Sequence, residues 1–171
     1  RSFRNRLPEL PGPPRGCTRV QMQIGEAEIL FERPPLNELP TIISNSALDL
    51  LFGLFPTAAV VAMFSALVQE KSIIMHCDEV SFLPEVAHAV TALLFPLRWA
   101  HIYIPFLPNS IDLSDFIAAP SPFIVGVQSG RFEQSYIEPN YELVVVDFNR
   151  GEVWAPAGVA GMGSNTRQMA P

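Results

Sequence analysis

The chain has 171 residues, 49% of them hydrophobic and only 16% charged, which excludes a disordered polymer and allows one domain with a real core. Its formal charge is −6, and its 11 lysines and arginines lie mostly near the N-terminal end. No basic stripe is left to neutralise a phosphate backbone, so nucleic acid is excluded as a partner.

A surface this apolar implies a missing neighbour, and the chain reads as an internal portion of a longer protein. Residues 1–19 are rich in Pro and Arg and read as a linker from an upstream module. RSFRNRLPEL is basic, but PGPPRG follows it where a signal peptide would place an apolar run. Val20 to Arg33 alternates in two short stretches around Gly25-Glu26, the pattern of a hairpin. After RPPLNELP breaks that pattern, Ser44 or Asn45 can cap a helix over SALDLLFGLF, with Leu48, Leu51 and Leu54 or Phe55 on one face.

Leu50 to Val68 carries no charge and approaches the length of a membrane span. Pro56 divides it, and a proline is best placed in the first turn of a new helix running from Thr57 to Glu70. There Val60, Met63, Phe64, Leu67 and Val68 form a broad apolar face, while Ala58, Ala62, Ser65 and Ala66 keep the other side small. Such a helix is predicted to be buried on both sides. KSIIMHC, Lys71 to Cys77, is a continuous apolar run and so a strand covered on both faces, as in parallel sheets.

A third helix begins near Ser81, tolerates Pro84 in its first turn, spaces Phe82, Val86, Ala89 or Val90 and Leu93 helically, and stops at Pro96. AHIYIP, PFIVGV, YELVVVDF and, after the turn FNRGE, EVWAP read as strands. Apolar strands alternating with helices specify an α/β fold, a mostly parallel central sheet with helices on both faces. The core domain is drawn over residues 20–156, and 157–171, rich in Gly and Ala, read as a flexible tail.

Motifs for chemistry are sparse. No glycine-rich phosphate loop follows the first strand, and GVAGMG in the tail has the wrong spacing, so no nucleotide cofactor is expected. GVQSG places Ser129 fourth where a nucleophile elbow needs it third; an esterase would have to recruit His88 or His101. His76, Cys77, Asp78 and Glu79 are metal ligands by type, but consecutive strand residues face opposite ways and cannot close one tetrahedral site. Cys17 and Cys77 lack a disulfide framework and fit reduced thiols in a cytoplasmic protein. Asp112 and Asp115, three apart, suit helix caps better than an acid/base pair.

Taken together, Phe95-Pro96, Trp99 with His101, Tyr103-Ile104-Pro105, Leu107-Pro108, Ala119-Pro120-Ser121-Pro122-Phe123 and Gly126-Val127 resemble the signature of the DENN domain, in the same order and spacing. The resemblance covers about Pro34 to Trp154 and includes Leu67, Glu70, Ile73 and Ile74 in a helix-then-strand stretch. It implies a DENN core module flanked by an upstream longin-like and a downstream helical module. It further implies guanine-nucleotide exchange on Rab-family small GTPases of vesicle trafficking, by protein binding and without covalent catalysis or cofactor. The alternative within the fold is a scaffold or adaptor lacking exchange activity. IDLSDFIAAP departs from the family's more leucine-rich pattern, which bears on partner identity.

Loops leaving the carboxyl ends of the strands form the functional edge of an open α/β sheet. Asn109, Ser110, Asp112 and Asp115, in the connection after AHIYIP, are therefore the candidate partner-binding residues. The implied setting is the cytoplasm, with peripheral recruitment to vesicle membranes and self-association of the exposed apolar faces left open.

Overall fold

The computed structural model describes residues 16, 19–32, 35, 46–132, 143–155 and 166–168. They divide into two compact units, Arg1–Ser44 and Asn45–Pro171. In the first, β1 (Arg19–Ile24) and β2 (Ala27–Glu32) pair antiparallel, and Gly25 supplies the positive φ that a tight turn needs. The proposed caps Ser44 and Asn45, Cys17 and most of the linker lie outside the described residues.

The second unit is built on a six-stranded sheet of order β4-β5-β3-β6-β7-β8. Its centre consists of β3 (Ser72–Cys77), β5 (Phe123–Gln128) and β6 (Leu143–Asp147), all parallel. β4 (Ile102–Ile104) extends it in parallel beyond β5, and β7 (Glu152–Ala155) turns back antiparallel beside β6. Outside β7 runs β8 (Thr166–Gln168), within the stretch that reads as a tail. The three central strands are apolar and buried nearly throughout, as a doubly covered parallel sheet requires.

One face carries the three longer helices. Leu51 and Phe55 bury one side of α1 (Ser46–Leu54) and its end, each worth roughly 2 kcal/mol of hydrophobic stabilisation. α2 (Thr57–Val68) packs near β7, and α3 (Phe82–Ala92) lies across β3 and β5 through Leu83, Val86, Ala87, Ala89 and Val90. Against the other face, Ile74, Val125, Val127 and Val145 form a core with Leu107 and Leu113. Phe116 and Ile117 of the single-turn α4 (Ser114–Ile117) pack against this core. Helices therefore cover both faces, very unequally.

Three details correct the sequence reading. α2 is not buried on both sides: Ala59, Ala62 and Ala66 face inward with Val60, Met63 and Leu67, while Val61, Phe64 and Val68 stay exposed. Small side chains win the inner face because they let the helix approach its neighbours closely. β4 is a half-buried edge strand of three residues, and Tyr103 faces solvent. Finally, Leu94 and not Leu93 completes the buried side of the third helical segment, before a cis Phe95–Pro96 peptide. No single helix among the described residues is long and apolar enough to cross a membrane, and α1 and α2 meet at 114°.

Candidate functional site

The parallel strands β4, β5, β3 and β6 all end at one edge of the sheet. Just past β4 the chain folds back over β5: the Leu107 amide donates to the Gly126 carbonyl at 2.7 Å, and the Pro105 carbonyl fills the space that a side chain at Gly126 would need. A Cβ at Gly126 would collide with that carbonyl, so the Gly-Val of the motif is required by a close backbone crossing. Leu107 and Leu113 are buried and pin the two ends of the loop that follows. Between them Asn109, Ser110, Ile111 and Asp112 are exposed.

Arg131 holds this loop from outside. It ends a 3-10 turn, Ser129–Arg131, directly after β5, and its guanidinium donates to the carbonyls of Leu107 (3.0 Å), Pro108 (3.1 Å) and Ile111 (2.5 Å). The five donors of a guanidinium, fixed in one plane, suit such convergent carbonyls. Asp112 accepts the Ser114 amide, two residues on, at 3.0 Å, a local turn just ahead of α4, whose N-cap position is Leu113 and not the expected Asp112. That amide, with Ser114's side chain, holds the Asp112 carboxyl below its ordinary range, so it is anionic at neutral pH. Asp115 is exposed in the first turn of α4.

Behind the loop lies a polar cluster that the sequence did not bring together. His76 and Asp147 are register partners on β3 and β6, and both side chains are buried. The His76 Nδ1 lies 3.3 Å from Ser129 Oγ, and Asn149 Nδ2 donates to the same hydroxyl at 2.9 Å. With Asn149 donating, the Ser129 hydroxyl can donate to Nδ1 or accept from it, according to the tautomer of the imidazole. Asn149 is oriented by its own carbonyl oxygen, which accepts the Asp78 amide at 3.2 Å. Asp147 accepts the amides of Asn149 and Arg150 at 2.9 and 3.2 Å. The Phe132 ring stacks on the imidazole, with centroids 4.6 Å apart and planes 4° from parallel.

Burial pushes the His76 pKa down, against the pull of the Asp147 and Asp78 carboxylates and with the help of Arg150, so the ring is neutral at pH 7. Its Nε2 stands 4.0 Å from Asp147, beyond hydrogen-bond range, and has no hydrogen-bond partner among the described residues. The Cys77 thiol, also buried, is pushed up and stays protonated. Neither His88, exposed on α3, nor His101, 3.3 Å from Glu70, is the histidine at Ser129. No group of three or more His, Cys, Asp or Glu side chains among the described residues is arranged to hold a metal ion.

Two apolar residues were missed. Phe106 and Ile111, 39% and 40% exposed, flank Asn109 and Ser110 on the same loop. Exposed aromatic and aliphatic side chains ringed by polar ones are the usual anchors of protein interfaces, whereas aspartates are depleted there. The sequence signal was available in YIPFLPNSI, where an apolar residue interrupts each polar or proline step. A shallow pocket of about 230 Å³, lined by Glu70, Lys71, Pro120 and Pro122 among others, lies at the opposite edge and contains none of the candidate residues.

The molecule is an α/β module with a braced, exposed loop at the carboxyl edge of its sheet, where open α/β folds carry their functional loops. The family model of the DENN (AEX-3) domain matches residues 1–151, and the chain belongs to that family. It is 30% identical over 142 residues to mouse DENN domain-containing protein 1C, covering 82% of this chain and 18% of that protein. Similarity to human DENN domain-containing protein 2B is 31% over 148 residues, 85% of this chain and 13% of that one. Against Xenopus laevis DENN domain-containing protein 1A it is 33% over 104 residues, 61% and 10% respectively. The chain thus spans less than a fifth of the length of these relatives.

Proposed function

We infer that this chain is the core module of a guanine-nucleotide exchange factor for a Rab-family GTPase, and that the loop at the carboxyl edge of the sheet meets the GTPase. The reading rests on membership of the DENN family, together with one structural observation: a loop whose backbone is tied down while its side chains are left free. Upstream longin-like and downstream helical modules would complete the exchange region, working in the cytoplasm at vesicle membranes.

Exchange of this kind needs no covalent step. A factor that binds the nucleotide-free GTPase more tightly than the nucleotide-bound form shifts that equilibrium and lowers the barrier to GDP release. Phe106 and Ile111 would supply apolar anchorage, and the anionic Asp112 with Asp115 would select a partner presenting positive charge at the contact.

The test is GDP release from a panel of Rab proteins by the full-length protein carrying Asp112→Lys and Asp115→Lys together. A fall in exchange of roughly tenfold or more is expected, since opposed like charges cost more than 1.4 kcal/mol at a close contact. Unchanged GDP release would remove this loop from the contact. Binding of the GTPase with no exchange by the unsubstituted protein would favour the scaffold reading instead.

A further inference from the structure

Among the described residues, the Arg131 guanidinium gives its hydrogen bonds to the backbone of a loop about twenty residues away in sequence. The carbonyls it binds belong to Leu107, Pro108 and Ile111, and so bracket Asn109 and Ser110. Within the loop itself, the Ile111 amide bonds to the Pro108 carbonyl at 3.2 Å, and the side chains from Pro108 to Asp112 are all exposed. Packing therefore fixes the two ends of the loop but not its middle. Across the middle, a fork of donors gathers the carbonyls.

The turn that carries Arg131 is itself anchored on its other side. Ser129 bonds to His76 and Asn149, Phe132 stacks on His76, and the Phe132 amide closes the turn on the Ser129 carbonyl at 3.0 Å. Residues 129–132 thus join the buried ends of β3 and β6 to the exposed loop. We propose that Arg131 is a positioning residue for the partner-facing loop, holding Asn109, Ser110, Ile111 and Asp112 in the arrangement that the GTPase meets. The proposal rests on the functional reading above. Its physical content is preorganisation: ordering the loop before the encounter removes that entropic cost from binding.

Lysine keeps the charge but offers a point donor and not a planar fork, so it can gather fewer of the carbonyls at once. The experiment uses the full-length protein with Arg131→Ala and Arg131→Lys, alongside the Asp112→Lys/Asp115→Lys variant. Amide hydrogen exchange is followed in 107–113, and GDP release is measured against GTPase concentration.

Arg131→Ala is expected to speed exchange of the loop amides at least tenfold while leaving those of β3, β5 and β6 unchanged. The GTPase concentration for half-maximal release should rise about tenfold with the saturating rate retained. Arg131→Lys should recover part of both changes, and it supplies the same two readouts should the alanine variant fail to fold. Loop amides that remain as protected as in the parent would overturn the proposal. A loosened loop with an unchanged concentration dependence, while the charge reversal still impairs release, would overturn it too and leave the contact surface standing. If neither the arginine variants nor the charge reversal alters release, the positioning role and the contact surface both fall.

Discussion

The carboxyl edge of the sheet holds two polar regions that are opposite in kind. Around His76 the polar side chains answer one another, with His76 and Asp147 buried and Ser129 and Asn149 nearer the surface: Asn149 serves Ser129, Asp78 and Cys77, and Asp147 caps the turn after β6. In the loop from Pro108 to Asp112 it is the backbone that is satisfied, and the side chains are left to solvent. The first pattern is what a fold needs to bury polar atoms without penalty, and the second is what a surface needs to meet another protein. Polar residue type alone did not distinguish them. His76, Ser129 and Asp147 look more like chemistry than Asn109 or Ser110, yet their side chains are engaged with one another, with Asn149 and with the Phe132 ring stacked on His76.

The comparison is broken most severely at Gly126, on which both regions depend. Gly126→Val would drive a side chain into the Pro105 carbonyl, with the Leu83 Cβ 3.5 Å away on the other side. A loss of about 3 kcal/mol is expected, because the obstruction is backbone and cannot rotate aside. Chemical denaturation of the full-length protein measures it, and a change below about 1 kcal/mol would mean that the crossing is loosely held.

A smaller effect separates the two regions by pH. The folded-state pKa of His76 lies below its unfolded value, so in the window between them the unfolded chain binds the extra proton. The stability it confers is complete above the ordinary imidazole value of about 6.5 and declines as pH falls below it. His76→Gln should flatten stability against pH over that window. The same slope in parent and variant would assign the acid sensitivity elsewhere.

Much of the scaffold was legible because it obeys simple periodicities. The continuous apolar runs of SIIMHC, FIVGV and LVVVD are the three buried parallel strands, and Pro56, Pro84 and Pro96 punctuate the helices as their missing amides require. The DENN signature is now accounted for physically: Gly126 allows the crossing, the Trp99 indole donates to the Ile102 carbonyl at 3.1 Å, and Leu107 fills the core. What stayed hidden was non-local. Nothing along the chain says that β5 and β6 flank β3 in a register that brings Ser129 and Asp147 to His76 and not to His88 or His101. Arg131 carried no motif at all, since its partners are main-chain carbonyls that every residue possesses. Burial of α2 on both sides was expected because its large apolar face and its small face both suit packing, whereas the structure buries the alanines with Val60, Met63 and Leu67 and exposes Val61, Phe64 and Val68.

The central claim is that the braced loop, not the buried histidine cluster or the pocket at the opposite edge, is where the partner sits. Amide hydrogen exchange of the full-length protein, with and without the nucleotide-free GTPase, tests it most directly. Added protection concentrated in 106–115, with the amides of 70–72 and 119–123 at the other edge unchanged, is the predicted result. Protection at 70–72 and 119–123 with none in 106–115 would contradict the account.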